Sequence, residues 1–228
     1  MPTLLLIRHG LTALTGPILA GRTPGLHLDE RGHAQAAAVA SRLAPVPLAA
    51  VVTSPLDRCA QTAAAITAGR DIDPTVDERL LEADYGEWTG GEIKKLAKDP
   101  LWRQVQAHPS AVTFPGGESL RGMSARAVDA VRDWNDRLGD DATFAVVSHG
   151  DIIKAIVGDA LGVHLDLFQR IQVDPCSLTV IRYAELRAFV VRLNDVGGDV
   201  GDLLPPKRKR RARRSSDAVV GGGAGGAA

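Results

Sequence analysis

Two segments of the chain end an apolar run in a histidine followed by a glycine. The first is Leu-Leu-Leu-Ile-Arg-His-Gly at residues 4–10, and the second is Ala-Val-Val-Ser-His-Gly at residues 145–150. Apolar runs of this length predict buried strands, and ligand sites in open α/β sheets lie beyond the carboxyl ends of the strands. We therefore expect His9 and His149 to face one edge of a sheet, where the following glycine lets a ligand come close.

Two arginines are predicted at the same edge. Arg8 precedes His9, and Arg58 lies in the first turn of a predicted helix after a third strand-like run, Ala49–Thr53. Guanidinium groups bind phosphate oxygens in a bidentate manner, and a helix N-terminus adds a positive field. One histidine at a strand end, or one surface arginine, is usually structural. Two of each at one edge favour an anion site.

These residue types suit phosphoryl transfer from a monoester. That reaction needs a nucleophile in line with the phosphorus, cations around the equatorial oxygens and an acid for the leaving oxygen. A neutral imidazole can attack phosphorus to give a phosphohistidine, and His9 is the predicted nucleophile. Arg8, Arg58 and His149 are predicted to stabilise the charge on the transferring group.

The predicted acid is Glu82, because the apolar pair Leu80-Leu81 before it can bury the carboxyl group and raise its pKa. Asp84 is the rival candidate. The residue pattern does not rank the two carboxyl groups, since a solvated loop carboxylate is an equally good interpretation of each.

Strand-like runs alternate with helical patterns, which favours an α/β fold: a three-layer sandwich with a mostly parallel central sheet. Ser54 is predicted to cap the second helix, with Pro55 as its first residue. A small helical cap, about residues 83–142, is expected over the site. The predicted helices are 30–43, 55–68, 92–105, 120–138 and 152–161, and two later strands are predicted at 177–183 and 188–193.

The composition limits the class of protein. A chain of 228 residues fits one domain, predicted at residues 1–195, with 45% apolar but only 4% aromatic residues. Two cysteines do not make a disulfide framework, and the first residues lack the features of a signal peptide. No apolar stretch reaches the length of a membrane span, so we expect a cytoplasmic protein that does not bind membranes.

The segment 196–228 is predicted to be a disordered tail, basic and then rich in Gly and Ala. Seven of the 27 basic residues lie within Lys207–Arg214, leaving 20 basic and 26 acidic side chains in residues 1–206. This tail can contact nucleic acid or another polyanion through phosphate groups, although a solvated tail is the simpler interpretation. The net negative body does not favour general nucleic-acid binding.

The motifs resemble those of the histidine phosphatase superfamily, also called the phosphoglycerate-mutase-like family. Arg-His-Gly at residues 8–10, Arg58, Glu82 and His-Gly at residues 149–150 occur in the family's order. The segment 54–62, Ser-Pro-Leu-Asp-Arg-Cys-Ala-Gln-Thr, is similar to the family's Ser-Pro-x-x-Arg-x-x-Gln-Thr. The resemblance covers about residues 3–193.

The resemblance implies the phosphoglycerate-mutase-like fold and a role for each matching residue. It implies that His9 is phosphorylated, that Glu82 donates a proton, and that neither a metal nor another cofactor is needed. The implied phosphate ligands are Arg8, Arg58 and His149.

One position departs from the family pattern. Family members usually carry an asparagine six residues after the nucleophile, and this chain has Thr15 there. Either the shorter hydroxyl of Thr15 donates to the phosphoryl group or a backbone N–H near Gly21 replaces it. The segments 85–90 and 114–119 look like those of actinobacterial acid phosphatases or mutase-like proteins in this superfamily.

Hydrolysis of a small phosphate ester is the preferred activity. True phosphoglycerate mutases resemble one another in an insertion with adjacent arginines, and the interval 83–148 has no Arg-Arg pair. A mutase remains the first alternative, and a binder of phosphorylated ligands without turnover is the second. A metallohydrolase is disfavoured, because arginines beside the histidines repel a dication. The oligomeric state is left open, with a homodimer as one option.

Overall fold

The computed structural model describes residues 1–198, which contain six strands, all in one sheet, and six α-helices. The strands are β1 Thr3–Arg8, β2 Ala50–Thr53, β3 Thr75–Val76, β4 Thr143–Ser148, β5 Leu178–Tyr183 and β6 Ala188–Asp195. The α-helices are α1 Glu30–Leu43, α2 Asp57–Thr67, α3 Ile93–Leu96, α4 Pro100–Ala107, α5 Leu120–Leu138 and α6 Gly150–Leu161. Single 3-10 turns lie at Glu78–Leu80, Gly86–Trp88, Pro109–Ala111 and Leu165–Arg170.

The sheet has six strands in the order β3-β2-β4-β1-β5-β6. Strands β3, β2, β4 and β1 are parallel to one another, whereas β5 pairs in antiparallel fashion with both β1 and β6. The prediction of a mostly parallel sheet is confirmed. Since β1 and β4 are parallel neighbours, their carboxyl ends lie side by side.

Alternating side chains of the central strands enter two separate cores. Leu4 and Leu6 of β1 belong to the core beneath α5 and α6, whereas Leu5 and Ile7 belong to the core beneath α1 and α2. This alternation follows from the period of two residues in a strand. Helices therefore cover both faces of the sheet, which confirms the three-layer sandwich.

The prediction of one helix over 92–105 is wrong. The structure has two, Ile93–Leu96 and Pro100–Ala107, separated by a turn in which Asp99 is extended (ψ 136°). Proline disfavours helical backbone in the residue before it, and Pro100 itself suits the first position of the second helix. The Asp99 carboxylate accepts from the Leu101 N–H at 2.8 Å and caps that helix.

The predicted start of the second helix is also wrong. Helix α2 begins at Asp57 with Leu56 as its N-cap, so Pro55 lies before the first turn, and the helix has no side-chain cap. Ser54 instead points its hydroxyl toward His149. Ser119 does cap helix α5, since its hydroxyl accepts from the Gly122 N–H at 3.0 Å.

Of the predicted tail 196–228, residues 199–228 lie outside the described residues. None of the helices within residues 1–198 is both long and apolar enough to cross a membrane.

Candidate active site

The carboxyl ends of three adjacent strands deliver the residues of the site. Backbone hydrogen bonds join the His9 N–H to the Ser148 carbonyl at 2.9 Å and the Ser54 N–H to the Val147 carbonyl at 3.0 Å. Residues 9, 149 and 54 therefore follow β1, β4 and β2 at the same level. The rings of His9 and His149 lie with their centroids 5.3 Å apart, so the two predicted histidines meet.

His9 is held as a neutral imidazole with a defined tautomer. Its Nδ1 lies 2.7 Å from the Gly10 carbonyl oxygen, which can only accept, so Nδ1 carries the hydrogen. Its Nε2 keeps a lone pair, which accepts from the Arg58 Nε–H at 3.3 Å. Burial, followed by the charges of Arg58 and Arg8, lowers the pKa of His9 well below its usual value. The Nε2 atom thus keeps its lone pair at neutral pH.

Two glycines let the loop after His9 lie directly on helix α1. A Cβ atom built on Gly32 would lie 2.0 Å from the Leu11 carbonyl oxygen, and one built on Gly10 would lie 2.6 Å from the Gly32 carbonyl oxygen. Both distances are far inside van der Waals contact, so neither position accepts a side chain without backbone movement. The hydroxyl of Thr62 also accepts from the Gly10 N–H at 3.2 Å.

His149 is fully buried beside the guanidinium of Arg58. Its Nδ1 lies 3.2 Å from Nη2 of Arg58, which can only donate, so Nε2 carries the hydrogen and donates to the Ser54 hydroxyl at 2.8 Å. Burial, followed by the charge of Arg58, lowers the pKa of His149 well below its usual value. His149 is not among the described residues that line the cavity beside His9.

The two predicted arginines are buried at the cavity. Arg58 Nη2 donates to the Gly21 carbonyl at 2.7 Å, and its Nη1 has no hydrogen-bond partner among residues 1–198. Arg8 donates from Nη1 to the Val173 carbonyl at 2.8 Å. Because an unpaired buried donor costs free energy, the Nη1 of Arg58 is a position where a ligand oxygen stabilises the protein.

The structure separates the two candidate acids. Glu82 is buried and lines the cavity with Arg8, His9 and Arg58. Burial, followed by the nearby carboxylate of Asp151, raises the pKa of Glu82 to about 7. Asp84 has a 40% exposed side chain, accepts from the Gly86 N–H, and does not line the cavity.

A network of charged side chains that the sequence did not predict holds the main chain of Glu82. The Glu82 carbonyl accepts from Nε of Arg22 at 2.8 Å and from Nη2 of Arg126 at 3.2 Å. Glu118 joins the two arginines, accepting from Arg22 at 2.9 Å and from Arg126 Nε at 3.0 Å. It also accepts from the Asp84 N–H at 2.8 Å. We call Arg22, Glu118 and Arg126 the acid-loop clamp.

Thr15 and Gly21 both line the cavity, but each has an internal partner. The Thr15 hydroxyl accepts from the Thr12 N–H at 3.0 Å and lies 2.9 Å from the Thr12 hydroxyl. The carbonyl oxygen of Gly21 accepts a hydrogen bond from Arg58. Contact of the Thr15 hydroxyl, or of an N–H near Gly21, with a phosphoryl group remains a prediction.

The cavity contains about 460 Å³ of empty space, part of it open to solvent. Within residues 1–198, no group of three or more His, Cys, Asp or Glu side chains is arranged to hold a metal ion. The cavity is lined by Arg8, His9, Thr12, Thr15, Gly16, Ile18, Leu19, Ala20, Gly21, Leu26, Arg58, Glu82, Tyr85 and Ile93.

The model of the histidine phosphatase superfamily (branch 1) matches residues 4–196. The chain belongs to the histidine phosphatase superfamily. This membership confirms the resemblance seen in the motifs.

Relatives in this superfamily include proteins from mycobacteria and from a thermophilic bacterium. The chain is 36% identical to the bifunctional protein Rv2228c of Mycobacterium tuberculosis over 197 residues, which cover 83% of the chain and 52% of that protein. The chain thus spans about half the length of this relative. It is 32% identical to phosphoserine phosphatase 1 of Hydrogenobacter thermophilus over 204 residues, covering 85% of the chain and 92% of the relative.

The structure agrees with solved histidine phosphatase folds. YhfR of Bacillus stearothermophilus superposes with a TM-score of 0.77 at 30% identity, covering 86% of this chain and 98% of that one. Superfamily membership and the phosphoserine phosphatase relative support an enzyme with phosphoryl-transfer activity.

Proposed function

We propose that this protein is a metal-independent phosphomonoesterase that hydrolyses small phosphate esters through a phosphohistidine on His9. One observation carries the proposal. The lone pair of His9 Nε2 lies beside the guanidinium of Arg58, in the same cavity as a carboxyl group, Glu82, whose pKa is raised to about 7. A nucleophile, a cation and a protonated acid are the parts that ester cleavage needs.

In the first step, His9 Nε2 attacks the phosphorus of the ester, and the bond from phosphorus to the ester oxygen breaks. The leaving oxygen takes the proton of Glu82, which is therefore left as a carboxylate. Arg8 and Arg58 bind the equatorial oxygens, where the unpartnered Nη1 of Arg58 offers a donor. The products of this step are an alcohol and phosphohistidine.

In the second step, water attacks the phosphorus of phosphohistidine while the Glu82 carboxylate accepts a proton from that water. The bond from phosphorus to Nε2 breaks and inorganic phosphate leaves, which restores neutral His9 and protonated Glu82. Asp84 has no part in this scheme, since its carboxylate faces Arg22 and the Gly86 N–H.

His149 completes the phosphate site in this proposal. Its Nδ1 accepts from Arg58 Nη2 at 3.2 Å, so neutral His149 orients the guanidinium that stabilises the charge of the phosphoryl group. We also assign Thr15 a supporting contact to the phosphoryl group through its hydroxyl.

The site needs neither a metal nor an organic cofactor in this proposal. The arginines beside His9 would repel a dication, and the nearby donor set is cationic and not rich in acceptors. The proposal further includes a domain over residues 1–195 in which the segment 83–142 covers one side of the cavity, since Tyr85 and Ile93 line it. Free buried thiols at Cys59 and Cys176 suit the reducing cytoplasm.

The proposal is tested by phosphate release from sugar phosphates, phosphoglycerates, nucleotides, phosphoamino acids and an aryl phosphate in excess chelator. We expect chelator-resistant turnover that His9→Ala abolishes, whereas His33→Ala, which removes an exposed histidine of α1, retains it. Activity lost to chelator would contradict the metal-independent scheme. Transfer of label from a bisphosphoglycerate to a monophosphate, without free phosphate, would instead identify a mutase.

A further inference from the structure

The charged side chains of the cavity belong to the group of residues around His9, where the proposal places the phosphoryl group. Among the described residues that line it, only Arg8, Arg58 and Glu82 carry a charge, apart from the titratable His9 and Tyr85. The proposed mechanism uses Arg8, Arg58, His9 and Glu82 on the phosphoryl group and the ester oxygen. Tyr85 is fully buried and donates its hydroxyl hydrogen to Asp151 at 2.9 Å.

The remaining wall of the cavity is mostly apolar. The segment 16–21 runs beside the segment 90–93 and is joined to it by backbone hydrogen bonds, from Leu19 N–H to the Gly91 carbonyl at 2.9 Å and from Ile93 N–H to the Pro17 carbonyl at 3.0 Å. These two segments present partly exposed apolar side chains to the cavity. Leu26, from the loop that follows residue 21, adds a further apolar side chain. We call the surface formed by Ile18, Ala20, Leu26 and Ile93 the apolar wall.

Arg22 and Lys95, which closely follow residues of the apolar wall in the sequence, already have carboxylate partners. Arg22 follows Gly21 in the chain, but its guanidinium lies 2.9 Å from Glu118 and 3.6 Å from Asp84. Lys95, in the same short helix as Ile93, pairs with Glu92 at 2.6 Å. Lys94 is exposed and does not line the cavity. A carboxylate on the leaving group would therefore meet apolar side chains and, among the described residues of this wall, no cationic partner.

From this distribution of charge we infer that the substrates are phosphate monoesters with an uncharged, largely apolar leaving group, held by the apolar wall. The inference rests on the proposed function and narrows it. An unpaired carboxylate loses hydration against apolar side chains, whereas an apolar group gains from burial there. The protein would then differ in specificity from enzymes that act on phosphoserine or phosphoglycerate, whose leaving groups carry a carboxylate.

The test compares two esters with the same three-carbon chain, n-propyl phosphate and 2-carboxyethyl phosphate, in which the chain ends in a methyl group or in a carboxylate. We expect kcat/KM to be at least about tenfold higher for propyl phosphate, the factor that corresponds to about 1.4 kcal/mol. Leu26→Arg places a cation on the apolar wall. It should shift the ratio of the two kcat/KM values at least about fivefold toward the carboxylated ester, because this ratio measures how much more strongly one transition state is bound than the other. Leu26→Gln, the neutral control, should not.

A binding measurement keeps the inference independent of turnover. His9→Ala should bind n-propylphosphonate more tightly than 2-carboxyethylphosphonate in calorimetric titrations. Equal or tighter binding of the carboxylated ligand, or wild-type kcat/KM that favours 2-carboxyethyl phosphate, overturns the apolar wall as a specificity surface while leaving His9-dependent hydrolysis intact. Activity unchanged in His9→Ala contradicts the proposed function instead, whichever ester is preferred.

Discussion

Arg22 holds Glu82 by its backbone, since the Nε–H of Arg22 donates to the Glu82 carbonyl at 2.8 Å. It therefore fixes the position of the acid without competing for the proton of the carboxyl group. The preceding residue, Gly21, accepts from Arg58 at 2.7 Å. Two consecutive residues thus connect the guanidinium that faces His9 to the loop that carries the acid.

We expect Arg22→Gln to impair cleavage of poor leaving groups selectively. A hydrogen bond from a charged donor contributes roughly 1.5–3 kcal/mol, so kcat on an alkyl phosphate should fall at least about tenfold. An aryl phosphate with an acidic phenol needs little protonation, and its kcat should change by less than about threefold. Steady-state kinetics on both substrates measure this, with Arg31→Gln on exposed Arg31 as control. An equal loss on both esters would show that Arg22 only supports folding.

The pKa of Glu82 predicts the alkaline side of the pH profile. Glu82 must be protonated to donate, and its pKa is raised to about 7. For an alkyl phosphate, kcat/KM, which reports the groups of the free protein, should therefore fall about tenfold per pH unit well above pH 7. Glu82→Gln should lower kcat by about 10²–10⁴-fold and remove this limb of the profile. A limb that persists in Glu82→Gln would assign the titration to another group.

Glu82 should also make folding stability depend on pH. Its pKa is about 7 in the folded protein and near the ordinary 4.5 in the unfolded chain, so the folded state alone holds the proton between these values. Stability from this group therefore falls as pH rises from about 4.5 to about 7. As pH rises across that window, the free energy of unfolding of Glu82→Gln, measured with urea, should increase by up to about 3 kcal/mol relative to that of the wild type. A difference independent of pH would contradict the raised pKa.

Ser54→Ala should destabilise the protein more than Ser177→Ala, although both hydroxyl groups are buried. Ser54 accepts from Nε2 of His149 at 2.8 Å, and its loss leaves a buried donor unpaired, at a cost of about 1–3 kcal/mol. The Ser177 hydroxyl has no partner among residues 1–198, so its removal should be close to neutral. Thermal unfolding of the two variants makes the comparison. Equal melting temperatures would argue against the His149 tautomer derived from Arg58.

The sequence predicts the meeting of His9 and His149 well, because two apolar strands that end in His-Gly become parallel neighbours with aligned ends. It also contained the signal for the break between α3 and α4, since Asp99-Pro100 is a typical helix start. The cap expected at Ser54 failed for a different reason. A buried imidazole hydrogen 95 residues away competes for the same hydroxyl, and no local pattern shows that.

The acid-loop clamp could not be found from spacing. Arg22 and Glu118 are 96 residues apart, and Arg22 and Arg126 contact Glu82 through its backbone carbonyl, a group that every residue has. Arg126 lies eight residues after Glu118, which precedes the N-cap of α5, and the i,i+3 and i,i+4 spacings of helical ion pairs do not predict a pair between them. Only the fold shows that both arginines converge on one carbonyl of the loop.

The direct contact between the backbones of Gly32 and Leu11 limits how this chain can be recombined with its relatives. With no side chain between them, any change in the tilt of helix α1 is passed to the loop beside the His9 ring. A chimera that takes helix α1 from a relative must also take residues 9–12 from it, so that the His9 imidazole keeps its orientation. The loop that carries His9 and helix α1 thus form a single exchangeable unit.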